Sequence, residues 1–115
     1  MKKDNIKFDE WLEKFDEIIN ACETPILDLG CGSGNDTLYL LNKGKKVISC
    51  DQSENAIKNI KKNFPEVFDA KCFNMLDGFP FPDNYCDLIV ATQLIIMVNI
   101  INYLIVYFRL LKFYS

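Results

Sequence analysis

The sequence predicts an α/β domain built on a parallel sheet, and three observations carry that expectation. Pro25 to Leu29 is a short apolar run that ends at a glycine and gives way, from Asp36, to the helical spacing Asp36-Thr37-Leu38-Tyr39-Leu40-Leu41. Val47-Ile48-Ser49-Cys50-Asp51 is a second buried run, ending in a carboxylate and followed by Ser53-Glu54-Asn55-Ala56 as a helix start. Strand, glycine turn, helix and strand in that order make a βαβ unit. The third observation is size: 115 residues, 50% hydrophobic and 25% charged, hold one domain with one modest core.

The elements follow in order. A first helix is expected from Asp9 to Ala21, because Phe8, Trp11, Leu12, Phe15, Ile18 and Ile19 recur at helical spacing on one face that should pack on the sheet. Trp11 belongs to that stripe and is read as core, with contact to a ligand as the alternative. The first strand covers Pro25 to Leu29, and the next helix runs to Asn42, where Lys43-Gly44-Lys45 stops it. The second strand ends at Asp51. A helix from Glu54 to Asn63 stops before Pro65, because a residue preceding proline is poor in helical geometry. Phe68 to Phe73 is the third strand and Cys86 to Ala91 the fourth.

Composition narrows the function classes. The net charge of -3 with no basic run gives no specific nucleic-acid signal, since neutralising phosphates requires clustered Lys and Arg. The pairs Lys45-Lys46 and Lys61-Lys62 read as solvated surface. The five cysteines, Cys22, Cys31, Cys50, Cys72 and Cys86, show no metal-ligand spacing, and the chain has no histidine. Free thiols in a reducing compartment are the simplest reading, and the polar start Met1-Lys2-Lys3-Asp4 lacks the apolar stretch of a secretory signal, so a cytoplasmic location is expected.

The loop between the first strand and its helix, Asp28-Leu29-Gly30-Cys31-Gly32-Ser33-Gly34-Asn35, reads as a nucleotide-type cofactor site, because glycines allow the backbone to approach a ligand closely. A dinucleotide fingerprint would place its third glycine at position 35, and Asn35 stands there. The pattern Asp-x-Gly-x-Gly-x-Gly at Asp28, Gly30, Gly32 and Gly34 instead resembles the cofactor loop of class I S-adenosylmethionine-dependent methyltransferases. The resemblance implies a Rossmann-like parallel sheet with flanking helices in the partial strand order 3-2-1-4, with S-adenosylmethionine over the carboxyl ends of the strands. It implies that the backbone of Gly30, Cys31, Gly32 and Gly34 faces the methionine part of the cofactor, while Asp28 orients that loop or accepts from the cofactor's amino group. Asp51, with Gln52 beside it, is where a ribose would be held; capping the helix near Ser53 is the plainer alternative. The segment Asn74-Met75-Leu76-Asp77-Gly78-Phe79-Pro80-Phe81-Pro82-Asp83-Asn84 resembles the family's loop beside the adenine. There Asn74 stands where an acid is usual, and Met75 follows. Asn accepts through its carbonyl oxygen but brings no charge to that bond. Asp77 substitutes if the loop shifts. A simple Pro/Gly turn is the alternative for the whole segment.

After the fourth strand, Ala91-Thr92-Gln93-Leu94 stands where some amino-group methyltransferases carry Asn/Asp-Pro-Pro-aromatic, so methylation of an adenine, cytosine or glutamine amide by that motif is unsupported. The methyl acceptor is unassigned, as is any catalytic base. Residues 88–115 hold only two charges, Arg109 and Lys112, and the resemblance ends near Ala91. The chain is thus divided into 1–91, the cofactor-binding half, and 92–115, an atypical apolar tail expected to be helical. Three readings of that tail stand: an end altered or truncated by a shifted reading frame, a helix buried against a partner subunit or a second copy, or a membrane helix. Thr92, Gln93, Asn99 and Asn102 weigh against the last. The function implied is methyl transfer from S-adenosylmethionine to an unknown acceptor, in a copy that is incomplete. The alternative is a cofactor-binding pseudoenzyme or a nonfunctional fragment.

Overall fold

The computed structural model describes residues 11–78, 80–82, 85–91, 94–98 and 104–108. Strands β1 (Ile26–Leu29), β2 (Val47–Asp51), β3 (Asp69–Cys72) and β4 (Leu88–Ala91) pair in parallel in the order β3-β2-β1-β4. Helices α1 (Asp16–Ala21), α2 (Asn35–Asn42) and α3 (Glu54–Asn63) flank them. The expected Rossmann-like order 3-2-1-4 is therefore present.

Register explains which side of each strand meets the helices. Ile26 pairs with Val47 and Leu88, and two residues on Asp28 pairs with Ser49 and Val90. A period of two puts these residues on one face. That face carries Ile26, Val47, Leu88 and Val90 against Trp11, Leu12, Ile19, Tyr39 and Leu40. The opposite face, with Leu27, Ile48, Cys50 and Ile89, packs against Phe81 and Tyr85 from the segment before β4, whose rings stack 5.5 Å apart. Phe64 and Ile60 of the α3 end form a third cluster with Cys31 and Ala70.

Two expectations are corrected. The first helix, expected as one piece from Asp9, is in its described part a 3-10 helix at Trp11–Phe15 followed by α1. Phe15 breaks the α geometry at φ -114°, ψ 15°, and the Trp11 indole N–H is drawn to Asp36 at 3.1 Å, an anchor outside the helix. Met1 to Glu10, including Phe8, lie outside the described residues. The second correction concerns the tail. Leu94–Val98 and Leu104–Phe108 form strands β5 and β6, not a helix, and they extend the sheet antiparallel from β4, Ala91 pairing with Leu94 and Leu94 with Phe108. A uniformly apolar run has no period from which helix and strand can be told apart, and Ile95, Ile96, Val98, Ile105 and Val106 are β-branched residues that suit strands. Thr92, Gln93, Asn99 and Asn102 lie outside the described residues. No helix among the described residues is long and apolar enough to cross a membrane.

Candidate functional site

The parallel order places β1 between β2 and β4: the chain leaves β1 to one side, through α2 to β2, and returns from β3 to β4 on the other side of β1, so a crevice opens beyond the carboxyl ends of these strands. A cavity of about 480 Å³ lies there. Its walls are Leu29 and Gly30 from the end of β1, Asp51 and Gln52 from β2, Phe73 and Asn74 after β3, Leu76 from a 3-10 turn at Met75–Asp77, and Ala91 from β4. The structure thus brings four residues named from the sequence, Gly30, Asp51, Gln52 and Asn74, to one wall. A second cavity, about 430 Å³ between α1 and Asp87–Leu88, sits at the other end of β4 and has none of them.

Asp51 is fixed before any ligand arrives. Its Oδ2 accepts the Gly32 N–H at 3.0 Å and its Oδ1 accepts the Ser53 N–H at 2.9 Å. Each carboxylate oxygen has a further lone pair for a second donor. The plainer alternative, that Asp51 serves the helix start, is thus met in part, but the cap of α3 proper is Ser53, whose Oγ accepts from Ala56 N–H at 3.2 Å. Asn74 likewise uses Oδ1 to accept the Leu76 N–H at 2.9 Å, closing the turn that carries Leu76, which is 84% exposed.

The glycine loop is held by its own backbone: Cys31 N–H donates to Cys50 O at 2.9 Å, and Gly34 N–H to Cys31 O at 3.0 Å. Gly30 and Gly32 have φ of 71° and 54°, the left-handed region that favours glycine. Gly34 is needed for a different reason. A Cβ there would stand 2.5 Å from Phe64 Cε2, so Gly34 lets α2 start against α3. Cys31 packs with Ile57, Ile60 and Phe64, and burial pushes its thiol well above the usual range. Cys50 is pushed up to about 12 and Cys86 to about 11, also mainly by burial, so all three are neutral thiols near pH 7 and poor nucleophiles.

Asp28 does not line the cavity. It is 2% exposed, and its Oδ2 accepts the Thr37 hydroxyl at 2.6 Å. Thr37 is in turn 2.7 Å from Ser49 Oγ, and both hydroxyl residues are fully buried. Burial raises the Asp28 pKa to about 7; the Thr37 hydroxyl opposes the rise, while the charges of Asp36 and Asp51 add to it. Trp11, whose ligand contact was the alternative reading, is 4% exposed and sits in the helix-side core. The sequence reading missed Thr37, Ser49, Phe73 and Leu76. Ser49 alone carried a signal: a hydroxyl in the middle of Val47-Ile48-Ser49-Cys50, a run otherwise fit for burial, must find a buried partner.

With that geometry in place, a family model described as a methyltransferase domain matches residues 27–112. The chain belongs to that family. The resemblance read from Asp28 to Gly34 is thereby borne out, and the match runs on past Ala91, where the sequence reading had ended it. Among similar proteins, the probable S-adenosyl-L-methionine-dependent methyltransferase TehB of Haemophilus influenzae is 34% identical over 85 residues, 72% of this chain and 29% of TehB. An uncharacterized methyltransferase of Synechocystis is 33% identical over 64 residues, 56% of this chain and 29% of that protein. The crystal structure of Haemophilus influenzae TehB superposes with a TM-score of 0.56 at 31% identity, over 70% of this chain and 28% of TehB. This methyltransferase-domain chain thus spans about three tenths of the length of these relatives.

Proposed function

We propose that the chain binds S-adenosylmethionine in the crevice beyond β1, β2 and β4 and serves methyl transfer to an acceptor. The single observation that carries this reading is the convergence of Gly30, Asp51, Gln52 and Asn74 on one cavity at the strand ends. Bound there, S-adenosylmethionine supplies a methyl group on a positively charged sulfur, ready for transfer to a nucleophile. The donor set suits it: Asp51 offers charged acceptors for two ribose hydroxyls, and its backbone bonds to Gly32 and Ser53 keep the carboxylate from turning away. Asn74 Oδ1 keeps one lone pair for an adenine amino group, with Met75 next in the chain. Gly30 meets the methionine end at the cavity wall, while Cys31, Gly32 and Gly34, whose N–H groups bond within the protein, give the loop its shape behind it, and Asp28 acts as the residue that orients the loop. A pyrophosphate fits poorly, since the described lining residues include Asp51 and no Lys or Arg.

Residues 1–91 are the cofactor half in this reading, and the chain's contribution to catalysis is positioning: holding reactants in attack geometry supplies roughly 7–11 kcal/mol. A second reading, a cofactor-binding module without transfer, rests on the described cavity lining, in which Asp51, already assigned to the ribose, is the only titratable side chain. The five free thiols fit a cytoplasmic location. Self-association through β5 and β6 belongs to the same proposal.

Calorimetric titration with S-adenosylmethionine and, separately, NAD tests it. Binding of the first alone is expected. Binding of NAD, or of neither ligand by a chain shown to be folded, overturns the reading. Transfer of labelled methyl to a cell extract separates the enzyme from the module.

A further inference from the structure

Three polar side chains are buried together in the domain. Asp28 on β1 and Ser49 on β2 share the helix-side face of the sheet and meet Thr37 from the first turn of α2; Asp28 is 2% exposed, and Ser49 and Thr37 are 0% exposed. Register sets Asp28 directly beside Ser49. Thr37 has a single hydroxyl proton and commits it to Asp28 at 2.6 Å, so Ser49 is the donor in the 2.7 Å bond to Thr37. The result is a directed chain, Ser49 to Thr37 to Asp28, with no unsatisfied buried side-chain polar atom among the described residues.

The location of this chain gives it a use. Asp28 is two residues before Gly30 and Thr37 three residues after Gly34, so the bond between them closes the base of the glycine loop. Gly34, the residue just before α2, has no side chain with which to cap it. Asp28 takes over that office, accepting from the Thr37 hydroxyl and drawn also to the Thr37 backbone N–H. Loss of the hydroxyl would leave a buried carboxylate short of its donor and free to turn within the loop's base.

We propose that Thr37 and Ser49 are positioning residues for the cofactor, fixing the Asp28 carboxylate under the loop Gly30 to Gly34 so that the loop backbone is preformed for the methionine end of S-adenosylmethionine. This rests on the cofactor reading above. Asp28 is faced by Asp36 from α2 and Asp51 from β2, with the neutral thiols Cys31 and Cys50 nearby; a cationic ligand among these carboxylates favours Asp28 ionised, so its binding should weaken as pH falls below about 7.

The test is the affinity for S-adenosylmethionine of the wild-type chain, Thr37→Val and Thr37→Ser, measured by calorimetry from about pH 5.5 to about pH 8.5, to either side of the pKa near 7. Thr37→Val is expected to bind about tenfold more weakly, the scale of one hydrogen bond to a charged group, with the pH midpoint moved upward; Thr37→Ser should match wild type. If Thr37→Val does not fold, Ser49→Ala is read in its place, expected to shift the midpoint the same way by less. Unchanged affinity and midpoint in the folded variant overturn the positioning role alone. Failure of the wild-type chain to bind overturns the cofactor reading and this inference with it.

Discussion

Asp28 inside β1 and Asp51 at the end of β2 are both acids on neighbouring strands, yet the fold treats them oppositely. Asp28 is enclosed, and its pKa rises from 3.8 to about 7 because burial disfavours the charge. A carboxyl that holds its proton more tightly when folded makes stability fall as pH rises through the window from about 4 to about 7, after which the loss is complete. The sign follows from the folded chain binding more protons than the unfolded chain across that window. Chemical denaturation at a series of pH values should therefore show the midpoint declining toward pH 7, with a total loss of a few kcal/mol, roughly 4 at most. Asp28→Asn keeps an acceptor for Thr37 and carries no titrating proton, so its profile should be flat there; a decline equal to wild type would remove Asp28 as the cause. Asp51 is held in place by two backbone N–H groups, at 3.0 and 2.9 Å. Asp51→Asn can accept only one of them and loses its charge, so S-adenosylmethionine should bind about tenfold to a hundredfold more weakly. Adenosine, which has the ribose without the methionine part, should lose a comparable factor. Unchanged affinity for both would remove the ribose role.

Among the elements, α2 and α3 meet where a glycine stands at the start of one and an aromatic at the end of the other. A Cβ on Gly34 would come within 2.5 Å of Phe64 Cε2 and 3.0 Å of Ile60 Cδ1, at φ 101°. Phe64 is fully buried and cannot swing outward without opening the α3 core. Gly34→Ala should then cost roughly 2–4 kcal/mol, overpacking and backbone strain acting together. Gly44→Ala is the control, since its Cβ meets nothing within 4 Å and only its φ of 76° is unfavourable; about 1 kcal/mol is expected. Equal losses in urea unfolding would mean the Phe64 contact is not what requires Gly34. The contrast also shows how far the sequence could be read. Gly34 was legible as a loop glycine from its spacing, but its packing role depends on Phe64, 30 positions away in the chain, which no local pattern reports. Helix α3 could be read from local signals, Ser53 before it and Pro65 after it, because its cap is made within the segment. The 3-10 turn at Trp11–Phe15 could not, since its anchor is Asp36 on another element.

On the scale of the whole molecule, the sheet's two ends differ in how they were foreseen and in how they are finished. The parallel half, β3-β2-β1-β4, could be read because apolar runs alternate with glycine turns and capped helices. The antiparallel extension β4-β5-β6 could not, because Leu94–Val98 and Leu104–Phe108 are apolar at every position and lack both periods. What closes that side is the larger question, since β6 is the last strand of the sheet among the described residues and is an edge there. Edges are usually blunted by charge or proline, which discourage another strand from adding. Leu104-Ile105-Val106-Tyr107-Phe108 has neither, whereas β3 at the opposite edge carries Asp69 and Lys71. Pairing should therefore occur at β6 and not at β3, between two copies of the chain. Sedimentation velocity over a roughly hundredfold range of concentration should show a concentration-dependent dimer, and Val106→Lys should shift it to monomer while Lys71→Val leaves it unchanged, as a charge set on an apolar edge opposes strand addition. A wild-type chain that stays monomeric throughout would sink the edge-pairing idea, and a dimer indifferent to Val106→Lys would move the contact elsewhere on the sheet.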